Sequence, residues 1–278
     1  MKKRIKLLVN IFLSAVLALL ILTSLICATF NDFVIDSDLL FAKMEENEAY
    51  KEKHEFICEE IQTLLLNSGV SEGFIETVYP SYDLVKESYE NSLLKLFSKQ
   101  ENQVDLSSYK ETVISAFKAE SIAQGITEEE DIAEITQIYW DDIEGIFKGA
   151  TGFIGAGTIG AYISSLVSAI DKVLIPIIIC AVIVYAFMIY LNAKKNFLFT
   201  AVPFAVTNIF IFLVYLLLSG YAKGGNFDSI QMSFINLGCE YLIYILQIGI
   251  LLLATALLVV FVKIIINKIM RGKKVGKE

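Results

Sequence analysis

Side chains able to do chemistry are few in this chain, and they are scattered. The single histidine, His54, stands among Glu52, Lys53 and Glu55. A metal centre takes several nitrogen, sulfur or carboxylate ligands, and no second histidine is available. His54 is therefore expected on an exposed helix surface. No Ser-His-Asp or Cys-His set can be assembled except around it, and no Gly-x-Ser-x-Gly nucleophile elbow exists. The glycine-rich stretch 152–160 lacks the Lys-Ser/Thr end of a phosphate-binding loop. No catalytic, cofactor-binding or metal-ligating set emerges, and the chain is expected to be non-enzymatic.

The remaining candidates are weaker. Glu128-Glu129-Glu130-Asp131 and Asp141-Asp142 are runs of carboxylates. Consecutive carboxylates on a helix diverge, and no Asp-x-Asp-x-Asp-Gly loop gathers them for calcium. The first run instead suits the positive end of a helix dipole. Cys27 and Cys180 fall in apolar runs and are expected to pack as small apolar groups. Cys58 and Cys239 fall outside the runs, where an oxidising compartment would permit a disulfide; the sequence leaves their pairing open. Gly152, Ala156, Gly160, Ser164 and Ser168 recur every four residues. On one helix they would form a smooth packing face, either within the chain or between copies. Asn208 and Gln247 are amides inside apolar runs, expected to bond across helices and to each other. Tyr139-Trp140 holds the only tryptophan, a core or membrane-interface anchor.

What positions these residues is a set of four uncharged apolar runs: 7–29, 173–192, 197–218 and 241–262. Each has the roughly 20 residues that cross about 30 Å of hydrocarbon as a helix. Inside lipid the backbone must satisfy its own polar groups, which selects helix. Twelve of the 23 basic residues flank these runs, in segments 1–6, 193–196 and 263–278. Four crossings put all three segments on one side, and the positive-inside rule makes it the cytoplasm. Residues 30–172 and 219–240 then face outward. The stretch 30–172 carries 28 acidic and 10 basic side chains, a net charge of −18. A fifth crossing by 149–170 would turn the later basic segments outward. That stretch is instead expected to be a separate Gly-rich membrane-proximal helix over 149–172. The first run exceeds the core of a cleaved signal and is expected to remain as an anchor. Leu25 and Ile26 precede Cys27 where a lipoprotein signal would have small residues.

Between the first two runs, 30–148 has helical periodicity. Ile57, Ile61, Leu64 and Leu65 share a face over 55–66, and Asn67-Ser68-Gly69 ends it. Ser71 is expected to cap a helix bearing Phe74, Ile75 and Val78, stopped by Pro80. A longer helix is expected over 83–97, with Leu84, Tyr89, Leu93, Leu96 and Phe97 inward. Ser108 with Glu111, and Thr127 with Glu130, have capping-box spacing. The expected fold class is all-α: four transmembrane helices with a small helical extracytoplasmic domain between the first and second.

The stretch Val70-Ser71, Phe74-Ile75, Val78-Tyr79-Pro80, Leu84-Val85, Leu93-Leu94-Lys95-Leu96-Phe97, Val104-Asp105-Leu106-Ser107 and Lys110 resembles an uncharacterised family of bacterial membrane proteins. The resemblance implies an N-terminal anchor, a helical extracytoplasmic domain and three later spans, and it carries over no catalytic residue. The chain departs from the family pattern at Ser108-Tyr109, where Pro and Leu are expected.

Together these features point to a cell-membrane protein whose acidic outer domain binds a protein partner or senses external conditions. An oligomeric pore or export component is the alternative, and a membrane enzyme or its accessory subunit a third. The lipid bilayer is an expected partner, with an unknown protein or a second copy beside it. Nucleic acid is not, because the basic ends are short and lie against the bilayer. Formal charge is missing from the runs, which argues against a proton-driven carrier.

Overall fold

The computed structural model describes residues 2–35, 37–94, 104–126, 128–152, 156–192 and 197–275. They are helical, without a strand among them. Ten α-helices follow in order: α1 Lys2–Ile35, α2 Ser37–Glu46, α3 Ala49–Asn67, α4 Glu72–Ile75, α5 Tyr82–Leu94, α6 Ser107–Ala123, α7 Glu129–Thr151, α8 Ala156–Asn192, α9 Val202–Gly224 and α10 Ser229–Val275. Short 3-10 turns lie at Glu76–Val78 and Phe197–Thr200. The chain divides into two compact units. A polar unit contains residues 37–164 and 228–233; an apolar unit contains the rest.

Within the polar unit the sequence periodicities become one core. Ile57, Ile61 and Leu65 of α3 are fully buried against Val85, Val113, Trp140, Ile143 and Phe147, with Leu64 partly buried beside them. Helix α7 presents Ile132, Thr136, Trp140, Ile143, Phe147 and Ala150 at spacings of three and four, the stripe expected of a helix with one buried face. Two turns are set by glycine. Gly69, at φ +79, lets Val70 N–H reach Leu65 O (3.0 Å) and its own N–H reach Leu66 O (3.0 Å). Gly125, at φ +86, repeats the arrangement after α6, with Ile126 N–H to Ser121 O. Both close a helix in the Schellman manner, at a backbone angle that a Cβ disfavours.

The capping expectations fare differently. Ser71 occupies the N-cap of α4 without a side-chain bond. Ser108 lies inside α6, which starts one residue earlier. Leu106 is the N-cap, and Asp105 just before it accepts from Ser107 N–H at 2.9 Å. Leu96, Phe97 and Thr127 lie outside the described residues.

Among the described residues four helical stretches are long and apolar enough to cross a membrane: Arg4–Phe30, Thr158–Asn192, Leu198–Gly224 and Ser229–Ile266, the second and fourth beginning in the polar unit's residues. All exceed the sequence-based bounds. Charged residues bound the runs at Lys6, Lys172, Glu240 and Lys263, but a charge does not break a helix. Asp171 and Lys172 lie within α8, so there is no turn at which 149–170 could form a separate crossing. The expected helix over 149–172 is likewise not a separate element. Residues 149–151 end α7, Gly152 leaves the helical region (φ −72, ψ 132), and α8 continues through the second run. The expected loop 219–240 contracts to residues 225–228, between α9 and α10.

Candidate functional site

In the polar unit a cleft of about 500 Å³ lies between the start of α6 and the later half of α7. Trp140 forms its floor, and Lys110 Nζ stands 5.5 Å above the indole centroid. Beneath it, Tyr109 meets Trp140 edge-on at 5.7 Å and Phe147 at 5.9 Å, and the Tyr109 hydroxyl donates to Val78 O at 2.8 Å. Burial raises the Tyr109 phenol well above its ordinary range, so the group stays a neutral donor. Phe117 stacks on Tyr139 at 4.4 Å and meets Phe74 edge-on at 4.9 Å. Trp140 is therefore a core residue, the first of its two expected roles.

The rim of the cleft carries Asp105, Asp141 and Glu144 against Lys110 and Lys148. Lys148 is paired with Glu144 at 2.7 Å, and Asp141 accepts from Gln137 at 2.6 Å. The Ser107 hydroxyl, and then its backbone N–H, hold the Asp105 carboxyl below the usual carboxylate range. Three carboxylates against two ammonium groups leave the rim acidic and hydrated. Such a rim can receive a polar or cationic surface.

His54 is half-buried rather than exposed. Its Nε2 lies 3.0 Å from Pro80 O and 3.8 Å from Cys58 Sγ, and its ring meets Tyr82 edge-on at 6.1 Å. The reason lies in the turn after Val78, which brings Pro80 and Tyr82 back onto α3. The Cys58 thiol is pushed up to about 11, by burial first and by the charge of Glu55 second. Alkylation of Cys58 by iodoacetamide at pH 8 is therefore expected to run at least about tenfold slower than for a free thiol, because the thiolate is the nucleophile. Peptide mass spectrometry across pH 7–11 would show the rate climbing toward the upper end. All four cysteines are free, with Cys58 in the polar unit and Cys239 in the apolar one. Among the described residues no three His, Cys, Asp or Glu side chains converge on a point, and Glu129, Glu130 and Asp131 spread over the first turn of α7.

The expected small-residue face is broken. Gly152 is outside α8, while Gly160 is buried and Ser164 and Ser168 are exposed on that helix. Comparison with protein-family models, curated proteins and solved structures gives no match. What the molecule does must therefore be argued from its own geometry.

Polar contacts in the apolar unit differ from the expected Asn208–Gln247 pair. Gln247 is exposed on α10. Asn208 is buried; its amide donates to Phe204 O at 2.8 Å, and its carbonyl oxygen has no hydrogen-bond partner. Gly249 faces that oxygen so closely that an added Cβ would lie 2.5 Å from it. Gly249→Ala is expected to lower the stability of the helix packing by about 1–3 kcal/mol, since the buried amide must shift. Thermal unfolding in detergent would measure this, and Asn208→Ala in the same chain should recover most of the loss.

The amide pair that does form is Asn10 with Asn192. Each donates to the other, at 3.0 and 3.1 Å, and Asn192 also donates to Met188 O at 2.9 Å. Lys6 donates to Leu191 O beside them at 2.6 Å. Further along α1, the Ala18 carbonyl lies 3.1 Å from Thr207 Oγ1, and the Ile26 carbonyl accepts from the Tyr241 hydroxyl at 2.9 Å. A cavity of about 370 Å³ lined by Leu17, Ile21, Ile178, Tyr185 and Phe204 opens between these helices.

Proposed function

We propose that the chain is a multi-pass cell-membrane protein whose acidic helical unit faces outside and binds a protein partner or senses external conditions, without catalysing a reaction. Four helices of sufficient length and apolarity support the membrane assignment. One observation carries the orientation: the basic segments 1–6, 193–196 and 263–278 fall on one side of four crossings, and the net charge of −18 falls on the other. The basic ends would then meet anionic lipid, at about 1 kcal/mol per residue near the surface. Binding is supported by the hydrated acidic cleft over Trp140, whose charged groups are tied to neighbours in pairs that suit recognition rather than proton transfer. Membership in the bacterial family with this architecture is part of the same proposal.

Crosslinking in intact membranes, followed by capture of the chain, tests this. A specific foreign protein attached through α6–α7 is the expected result. Charge reversal at Asp141 and Glu144 should reduce its yield. Labelling of a cysteine introduced at Glu129 by a membrane-impermeant maleimide in intact cells tests the orientation, and protection of that site until lysis would sink it.

Self-association is the second reading, and a specific observation favours it. Helix α8 is the least covered of the four, with Tyr162, Ile175 and Tyr190 at 74%, 65% and 78% exposure. Recovery of only this chain at a fixed stoichiometry would support an oligomeric pore or export component instead.

A further inference from the structure

The start of α10 belongs to the polar unit, and its contacts there are unusual. Asp228 caps the helix in the ordinary way, accepting from Gln231 N–H at 2.7 Å. The N–H of Ser229, which that cap cannot reach, is instead directed at Glu52 Oε2 (3.3 Å), and the Ser229 hydroxyl donates to the same carboxylate. One turn on, Ser233 is fully buried. Its Oγ lies 3.1 Å from Lys43 O and 3.3 Å from Asn47 Nδ2. Lys43, Asn47 and Glu52 all flank the corner between α2 and α3. At that corner Glu48 has φ +59, the one non-glycine residue with positive φ among those described. A left-handed glutamate is held there only by its surroundings, and such strain concentrates at switching segments. The corner is also tied to α5, since Glu45 accepts from Lys86 at 2.6 Å and from Tyr82 at 3.2 Å. Glu45 is held below the usual carboxylate range by that lysine.

We propose that the α2–α3 corner is a releasable latch on the first turn of α10, so that movement of α5 or α3 in the polar unit sets whether that turn is held. The latch consists of polar groups, with Glu52 exposed, Lys43, Asn47 and Ser229 partly so and Ser233 buried, and no residue of 228–233 belongs to the core around Ile61 and Trp140. Polar contacts in water are weak singly and exchange with hydration, whereas the packed core is not. The carboxylate of Glu52 at a helix N-terminus adds an attraction that salt screens. Helix α10 runs unbroken from Ser229 to Val275, and its first turn is the part of it that belongs to the polar unit. The use of the latch in sensing rests on the proposed function; its existence does not.

Hydrogen exchange of the full chain in lipid nanodiscs tests the latch. With Glu52→Ala or Ser233→Ala, amides in 229–237 should exchange tenfold faster or more. Glu52→Gln, which keeps an acceptor but not the charge, should give a smaller change. Peptides from the α6–α7 core, 113–117 and 140–147, should keep wild-type protection. Unchanged exchange at 229–237 in both alanine variants would overturn the latch. So would a collective loss of protection that includes the core peptides, because the contact would then be inseparable from the fold. Partner crosslinking on the same variants separates the two ideas. Fast exchange at 229–237 in Glu52→Ala with no partner captured by the wild type removes the partner and keeps the latch.

Discussion

Phe147→Ala is expected to cost the polar unit about 3–5 kcal/mol, the range for truncating a buried phenylalanine. The ring is 2% exposed and sits between Ile143 and Tyr109 in the core that supports the cleft. Truncation removes contacts on several sides at once, and helices packed through α7 cannot all close the void. Because domains are stable by only about 5–15 kcal/mol, the loss would consume a large part of the margin. Trp140 is the sole tryptophan and is 2% exposed, so its emission reports this core alone. A urea titration of the reconstituted chain should show its red shift at a much lower midpoint. Asp142→Ala, on the exposed face of the same helix, should stay within about 0.5 kcal/mol of wild type. Equal midpoints for the two variants would mean that α7 does not pack as described.

Much of the fold was legible because burial imposes a period. Ile57, Ile61 and Leu65 announce the inner face of α3, and Ile75, Val78, Tyr89 and Leu93 are buried as their spacing requires. Helix ends were less legible. Gly69 marked a true stop, but Asp171 and Glu240 did not, since a charged side chain can leave a helix toward water while the backbone continues.

Partner choice was least legible of all. A sequence gives the depth of Asn208 and Gln247 in their helices, not the direction each faces. Gln247 and Gly249 are two residues apart, about 200° around the helix axis, so when Gly249 faces Asn208 the glutamine points away. The candidate cleft was missed for a related reason. Asp105 and Lys110 were visible in a motif, and Asp141 in an acidic pair, but nothing in the spacing said that α6 and α7 would bring them around Trp140. The α10 latch joins residues 177 to 190 positions apart, and no local signal marks such a contact.

Asn10 and Asn192 escaped notice because each lies near the end of an apolar run, where an amide passes for a flank. Their expected behaviour on mutation is asymmetric. Asn10→Leu leaves the Asn192 carbonyl oxygen buried without its donor, and should lower stability by about 1–3 kcal/mol. Bonds between helices in lipid average nearer 0.6 kcal/mol, because a dissociated helix also finds partners, so the lower part of that range is expected. Replacing both residues, Asn10→Leu with Asn192→Leu, removes donor and acceptor together and should restore most of the loss. Thermal unfolding of the four proteins in one detergent gives the coupling energy directly. Near-additive losses would show that the amides act separately, with Asn192 held by Met188 O alone. A strong positive coupling would establish that α1 and α8 are fixed in register by this pair. Within the hydrocarbon, where apolar side chains gain little by choosing one another over lipid, a reciprocal amide pair is among the few contacts able to specify that register.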